Sequence, residues 1–184
     1  MNQELKDEET KNWVKTCLAL RCVKEGILPF MKRKCDEQYE KSIRYLTTFV
    51  GVTDYKCTTC DINTLKPYHA RSTPCKYGHI KPKCCCQGQA KLPCAEGTCG
   101  LLFDLIKDEH VANNPNWSNT KSELWSDKYS GPWERMKCFI STPGYDDKAD
   151  VFQADITACV QICANNKDVK RELKGNIKYL DKVS

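Results

Sequence analysis

The stretch PCAEGTCGLLFDLIKDEH, residues 93–110, contains the change of texture that decides the fold. Its first part has proline, glycine and two cysteines and shows no apolar period. From Gly100 onward, Leu102, Leu105 and Ile106 fall on one face of a helix, with Leu101 and Phe103 flanking it. Cys99 stands at the boundary, where the free N–H groups of a helix start favour a thiolate. An irregular, cysteine-rich segment here hands over to a helical body, and the thiols must do what apolar packing does elsewhere.

Working backward, residues 51–100 are rich in turn formers, prolines and cysteines. A purely loop segment of that length is unusual inside a compact domain, so something besides apolar burial should hold it. Cys57 and Cys60, in CTTC, have the two-residue gap of a metal knuckle, in which both thiolates face one ion and the intervening amides hydrogen-bond to sulfur. Cys94 and Cys99 form a looser pair, with Gly97 easing the turn between them. A knuckle, a long excursion and a second pair leading into a helix is a zinc-like order, and Cys57, Cys60, Cys94 and Cys99 are the first choice of ligands. Cys75, His79, Cys84 and Cys86 are the second choice. Adjacent cysteines point in different directions, so Cys84, Cys85 and Cys86 should not share one ion. His69 reads as an exposed loop residue, and His110 as a helix C-terminal residue favoured by the dipole.

Helical periodicity dominates outside this segment. From about Glu8 to Leu46, Trp13, Cys17, Leu20 and Val23 or Lys24 form one apolar stripe, which Met31, Cys35, Tyr39, Ile43 and Leu46 continue. Gly26 and Pro29 interrupt it, giving two helices or one kinked helix. Trp117, Trp125 and Trp133 lie in a loop-like stretch and are expected to pack it onto the body. GPWERMKCFI reads as a short helix starting near Pro132. Val151, Ala154, Ile156, Cys159, Val160 and Cys163 recur at helical spacing, with Cys159 and Cys163 expected in the core. A last helix starts near Asp168, with Leu173, Ile177 and Leu180 on one face.

Composition narrows the classes. The 184 residues are 40% hydrophobic and 29% charged, with a formal net charge of +5. That charge is weaker than the concentrated basic face of a dedicated nucleic-acid binder. The start, MNQELKDEETKNW, is charged rather than apolar, and no window has the roughly 18 apolar residues of a membrane helix. The expectation is an intracellular protein, cytoplasmic or nuclear, where thiols stay reduced and cluster around metal. The rival is a secreted disulfide framework, since the 14 cysteines are even in number. No phosphate loop, paired-histidine metalloprotease motif or nucleophile elbow is present.

KNWVKTCLALR at residues 11–21 resembles the opening of an animal protein family named after an open reading frame on the human X chromosome, whose N-terminal domain has been catalogued as of unknown function. The family's Lys-Asn-Trp-Val-Lys helix is matched by Lys11, Asn12, Trp13, Val14 and Lys15. A cysteine-rich stretch and a helix follow, then a Trp-x-Asn motif matched by Trp117 and Asn119 and a Trp-Glu element matched by Trp133 and Glu134. The order agrees over nearly the whole chain. This chain has more cysteines between Cys57 and Cys99 than the family, and a wider gap between Cys94 and Cys99. It also ends just short of where the family carries an Arg-Asn…His element, which resembles the signature of the helical ribonuclease domains called HEPN. The resemblance implies a helical, HEPN-like body with a cysteine-rich insert and brings no established activity.

The combined expectation is a mainly α chain: one helical domain over residues 1–184, carrying a zinc-stabilised insert over 51–100. The role expected is a non-catalytic binding or scaffold module for a protein or nucleic-acid partner. The alternative is a HEPN-like RNA-binding or ribonuclease-related domain without its catalytic Arg…His element.

Overall fold

The computed structural model describes residues 8–66 and 94–180, the side chains of Phe49 and of residues 175–180 excepted. Helix α1 is a single element, Glu8–Tyr45, and continues unbroken through Gly26 and Pro29. Pro29 is exposed, so the hydrogen bond it cannot make to the Glu25 carbonyl is lost on the wet side of the helix. Ion pairs one turn apart support that side: Arg21–Glu25 at 2.7 Å, Lys32–Asp36 at 2.5 Å and Arg33–Glu37 at 2.6 Å. After Tyr45 the helix widens into a π-helical turn, Leu46–Val50, and Gly51 ends it at φ 77°, a left-handed conformation that glycine adopts without a Cβ penalty.

The two halves of α1 differ. Leu28, Met31, Cys35, Gln38 and Ser42 are buried, and Leu46 continues their line. The first half is not: Trp13 is 69% exposed, and Leu18, Leu20 and Val23 are also open. The stripe expected at Trp13, Cys17 and Leu20 therefore has no partner among the described residues. Periodicity shows that a helix face is apolar; it does not supply the surface that covers it.

The second half of α1 packs against α4 (Gly131–Met136) and α5 (Ile156–Asn165). Gly131 opens α4 where a Cβ would meet the Trp125 carbonyl at 2.8 Å and the Tyr39 ring at 2.9 Å, so only glycine fits that approach. Helices α2 (Ile62–Leu65) and α3 (Cys99–Glu109) add Leu65, Leu102, Phe103 and Ile106 to the core. Helix α6, Lys167–Leu180, follows α5, and Asn166 caps it while donating to Gln38 Oε1 at 3.0 Å. The only extended pairing among the described residues is an isolated bridge between His110 and Asn166. The chain is mainly helical, with four cysteines gathered at one corner.

The tryptophan-rich connection between α3 and α4 packs inward, as its composition leads one to expect. Trp125 and Trp133 are buried, and Trp117 stacks on Phe103 with centroids 4.1 Å apart. Their polar tips are satisfied: Trp125 Nε1 donates to Thr120 Oγ1 at 2.9 Å, and Trp133 Nε1 to the Lys148 carbonyl at 3.0 Å. Asn119, fully buried, donates to the carbonyls of Ile140 and Thr142 and accepts from the Tyr145 N–H. It pins the stretch 140–145, which lies outside any helix or strand.

Candidate metal centre

The left-handed Gly51 turns the chain off α1 towards Tyr55 and the CTTC segment. Two serines from the tryptophan-rich connection hold that segment by its backbone. Ser126 Oγ donates to the Cys57 carbonyl at 3.1 Å, and the buried Ser122 Oγ to the Cys60 carbonyl at 2.8 Å. Asp61 then starts α2 by accepting from the N–H groups of Asn63 and Thr64, and Ile62 and Leu65 anchor it in the core. On the other side, the Gly97 N–H donates to the Cys94 carbonyl at 2.9 Å, with Gly97 at φ 70°. This tight turn places Thr98 and Cys99 at the start of α3.

The sulfurs of Cys57, Cys60, Cys94 and Cys99 all lie within 4.8 Å of one another. Those of Cys94 and Cys57 are 3.7 Å apart. Cys57, Cys60 and Cys99 are buried and Cys94 half-buried. Four soft donors this close, on two chain segments held from outside, form a set that could hold a metal ion. Around them, Tyr55 Oη approaches Cys99 Sγ at 3.5 Å and Thr59 Oγ1 approaches Cys57 Sγ at 3.7 Å.

The thiols do not titrate alike. Burial raises all four, but at Cys94 the backbone N–H groups of Cys99 and Thr98 outweigh it and bring the thiol down to about 6. At Cys57, contacts with Thr59 outweigh burial in the same way. Cys60 is pushed up to about 12 by burial and by its neighbours Cys57 and Cys94, and burial pushes Cys99 up as well. Four crowded thiols cannot all ionise against one another. A bound dication removes that conflict, because a coordinated thiol is deprotonated outright.

Arg135, from α4, is buried beside this corner with its guanidinium 4.5 Å from the Tyr39 ring centroid and 6.0 Å from that of Tyr55. Neither Tyr55, Thr59, Ser122, Ser126 nor Arg135 stands out in the sequence. Each acts through tertiary proximity, and no spacing rule links them to the cysteines.

The second-choice ligands Cys75, His79, Cys84 and Cys86 lie outside the described residues, as do Cys85 and His69. His110 caps the C-terminus of α3, but it is buried against Phe139 rather than exposed and charged. Its Nδ1 accepts from the Ala112 and Asn114 N–H groups, and burial with nearby Lys167 holds the ring below its usual pKa. A neutral imidazole used as a backbone acceptor replaces the expected dipole-stabilised cation. Cys159 is fully buried, Cys163 half-buried, and Cys17 and Cys22 are exposed.

No helix among the described residues is long and apolar enough to cross a membrane. No family model, curated protein or solved structure matches this chain.

Proposed function

We propose that this chain is a non-catalytic binding or scaffold module whose cysteine corner is closed by a structural zinc ion. The observation that carries the reading is the meeting of four sulfurs within 4.8 Å of one another. Tetrahedral zinc with Zn–S bonds of about 2.3 Å holds its sulfurs about 3.8 Å apart, and the Cys57–Cys94 separation of 3.7 Å is close to that. A disulfide would need a sulfur separation of about 2.0 Å. Zinc suits an all-thiolate, redox-silent structural site, and four protein ligands leave no open position for a catalytic water. The ion would join the end of α1 to the start of α3 and fix both ends of the intervening segment.

Reduced thiols of this kind fit a cytoplasmic or nuclear setting. The partner is a protein or a nucleic acid. The open apolar flank of α1, with Trp13, Leu18, Leu20 and Val23, supports a protein partner first. The test of the zinc reading is elemental analysis of protein purified under reducing conditions, with melting curves taken with and without chelator. At least one zinc per chain and a lower melting temperature in chelator are expected. A metal-free protein whose melting curve ignores the chelator ends the reading.

A further inference from the structure

We propose that Arg135 is the charge-balancing residue of the cysteine site, its buried guanidinium offsetting the negative charge of four thiolates around one dication. The inference rests on the zinc reading above. Arg135 is 2% exposed, and among the described residues its side chain donates one hydrogen bond, from Nη2 to the Trp125 carbonyl at 2.7 Å. Among the described residues it makes no ion pair, and its Nε and Nη1 are buried without a hydrogen-bond partner. Stacking on Tyr39 and Tyr55 offsets only part of the cost of taking a cation out of water. A charge placed there needs an opposite charge.

Two groups face it that could carry one. Glu109 is already engaged, accepting from Gln38 Nε2 and pairing with Lys41 at 3.5 Å. The other is the cysteine site: Tyr55 lies between the guanidinium and Cys99, its ring under the first and its hydroxyl 3.5 Å from the sulfur of the second. Burial works against the charge on Arg135, while Tyr55, Tyr39, Glu109 and Cys99 work for it. Four thiolates and a divalent ion make a net dianion, which supplies the missing charge.

A second observation converges on the same corner. Among the described residues, the buried side-chain nitrogens and oxygens without a partner are Arg135 Nε, Arg135 Nη1 and Thr98 Oγ1. All three can donate. Thr98 precedes Cys99 directly, and Arg135 lies against Tyr55, whose hydroxyl is 3.5 Å from Cys99 Sγ, so these unmet donors lie on the Cys99 side of the cysteine site.

Zinc affinity, measured by competition with a chromogenic chelator, tests the inference. Arg135→Gln and Arg135→Met are expected to bind zinc roughly 10–100-fold more weakly than the parent chain, and Arg135→Lys, which keeps the charge, to recover most of the loss. Equal affinity in all four proteins overturns the inference and leaves the zinc reading standing. Arg135→Lys as weak as Arg135→Gln overturns it too, because shape rather than charge would then be at work. A parent chain that binds no zinc fails the zinc reading itself. The parent chain supplies an independent measurement should a variant not fold. Its Arg135 Nε–H resonance should shift and gain exchange protection as zinc is titrated in, and a resonance indifferent to zinc rejects the proposal.

Discussion

Cysteine does two different jobs in this chain. At the corner between α1 and α3, Cys57, Cys60, Cys94 and Cys99 turn their sulfurs towards one another on backbone that is mostly irregular. In the helical body, Cys35, Cys138 and Cys159 are as buried as Cys99 but sit on helices or a helical turn among apolar side chains. Burial holds Cys35 and Cys138 far above the ordinary thiol range and raises Cys159 to about 11. At the corner, burial is opposed by N–H groups aimed at sulfur, and Cys94 falls to about 6. Depth therefore does not separate the two populations. What separates them is that the four corner sulfurs face one another, and that donors from Thr59 at Cys57 and backbone N–H groups at Cys94 bring those two thiols down while Cys60 and Cys99 stay raised.

The sharpest way to break this comparison is to remove one corner sulfur. Cys99→Ser is expected to lose bound zinc and with it on the order of 10 kcal/mol of apparent metal-binding free energy. The loss should appear as a melting temperature insensitive to chelator and close to that of the chelated parent. Full zinc content in Cys99→Ser would move Cys99 from the corner population to the packing one.

Elsewhere in the body, the buried Lys137–Glu134 pair is satisfied by protein groups alone. Lys137, fully buried, pairs with Glu134 at 2.7 Å and donates also to the carbonyls of Asp146 and Lys148. Glu134 accepts in turn from the Lys121 N–H at 2.7 Å. Lys137→Met strands the buried carboxylate and is expected to cost about 3–5 kcal/mol in denaturant unfolding, with zinc content unchanged. Adding Glu134→Leu should recover part of that loss. A drop in zinc with Lys137→Met would show that the corner and the body are not energetically separable.

The same contrast explains what could be read in the sequence. The second half of α1, α3, and the helices after Asp155 follow from apolar periodicity, because that period is both the cause of burial and its visible trace. Cys57 with Cys60, and Cys94 with Cys99, could be paired by spacing because a knuckle is a local device. Continuity of α1 through Pro29 could not be read, since it depends on which side of the helix faces water. The fate of Trp13 and Leu20 depends on a covering surface, which no local pattern encodes. Arg135 lies in GPWERMKCFI, where an arginine reads as an ordinary helix-surface residue, and it is buried only because α4 opens on Gly131 against Tyr39.

The smallest effect falls on the packing thiols. Cys159 is fully buried on α5, on the face that packs against α1 near Cys35. Its sulfur is raised to about 11, first by burial and then by Cys163 and Asp155, so it stays a neutral thiol at neutral pH. A neutral buried thiol behaves as a small hydrophobe, and Cys159→Ala removes one atom's worth of packing with no charge or hydrogen bond stranded. The expected cost is about 1 kcal/mol, with zinc content and the chelator-induced shift in melting temperature both as in the parent. Because α5 and the cysteine corner meet α1 at different places, the effects of Cys159→Ala and Cys99→Ser should add. A double variant that falls well short of the sum, or a Cys159→Ala protein that loses zinc, would mean that thiols in the body and at the corner share one energetic network.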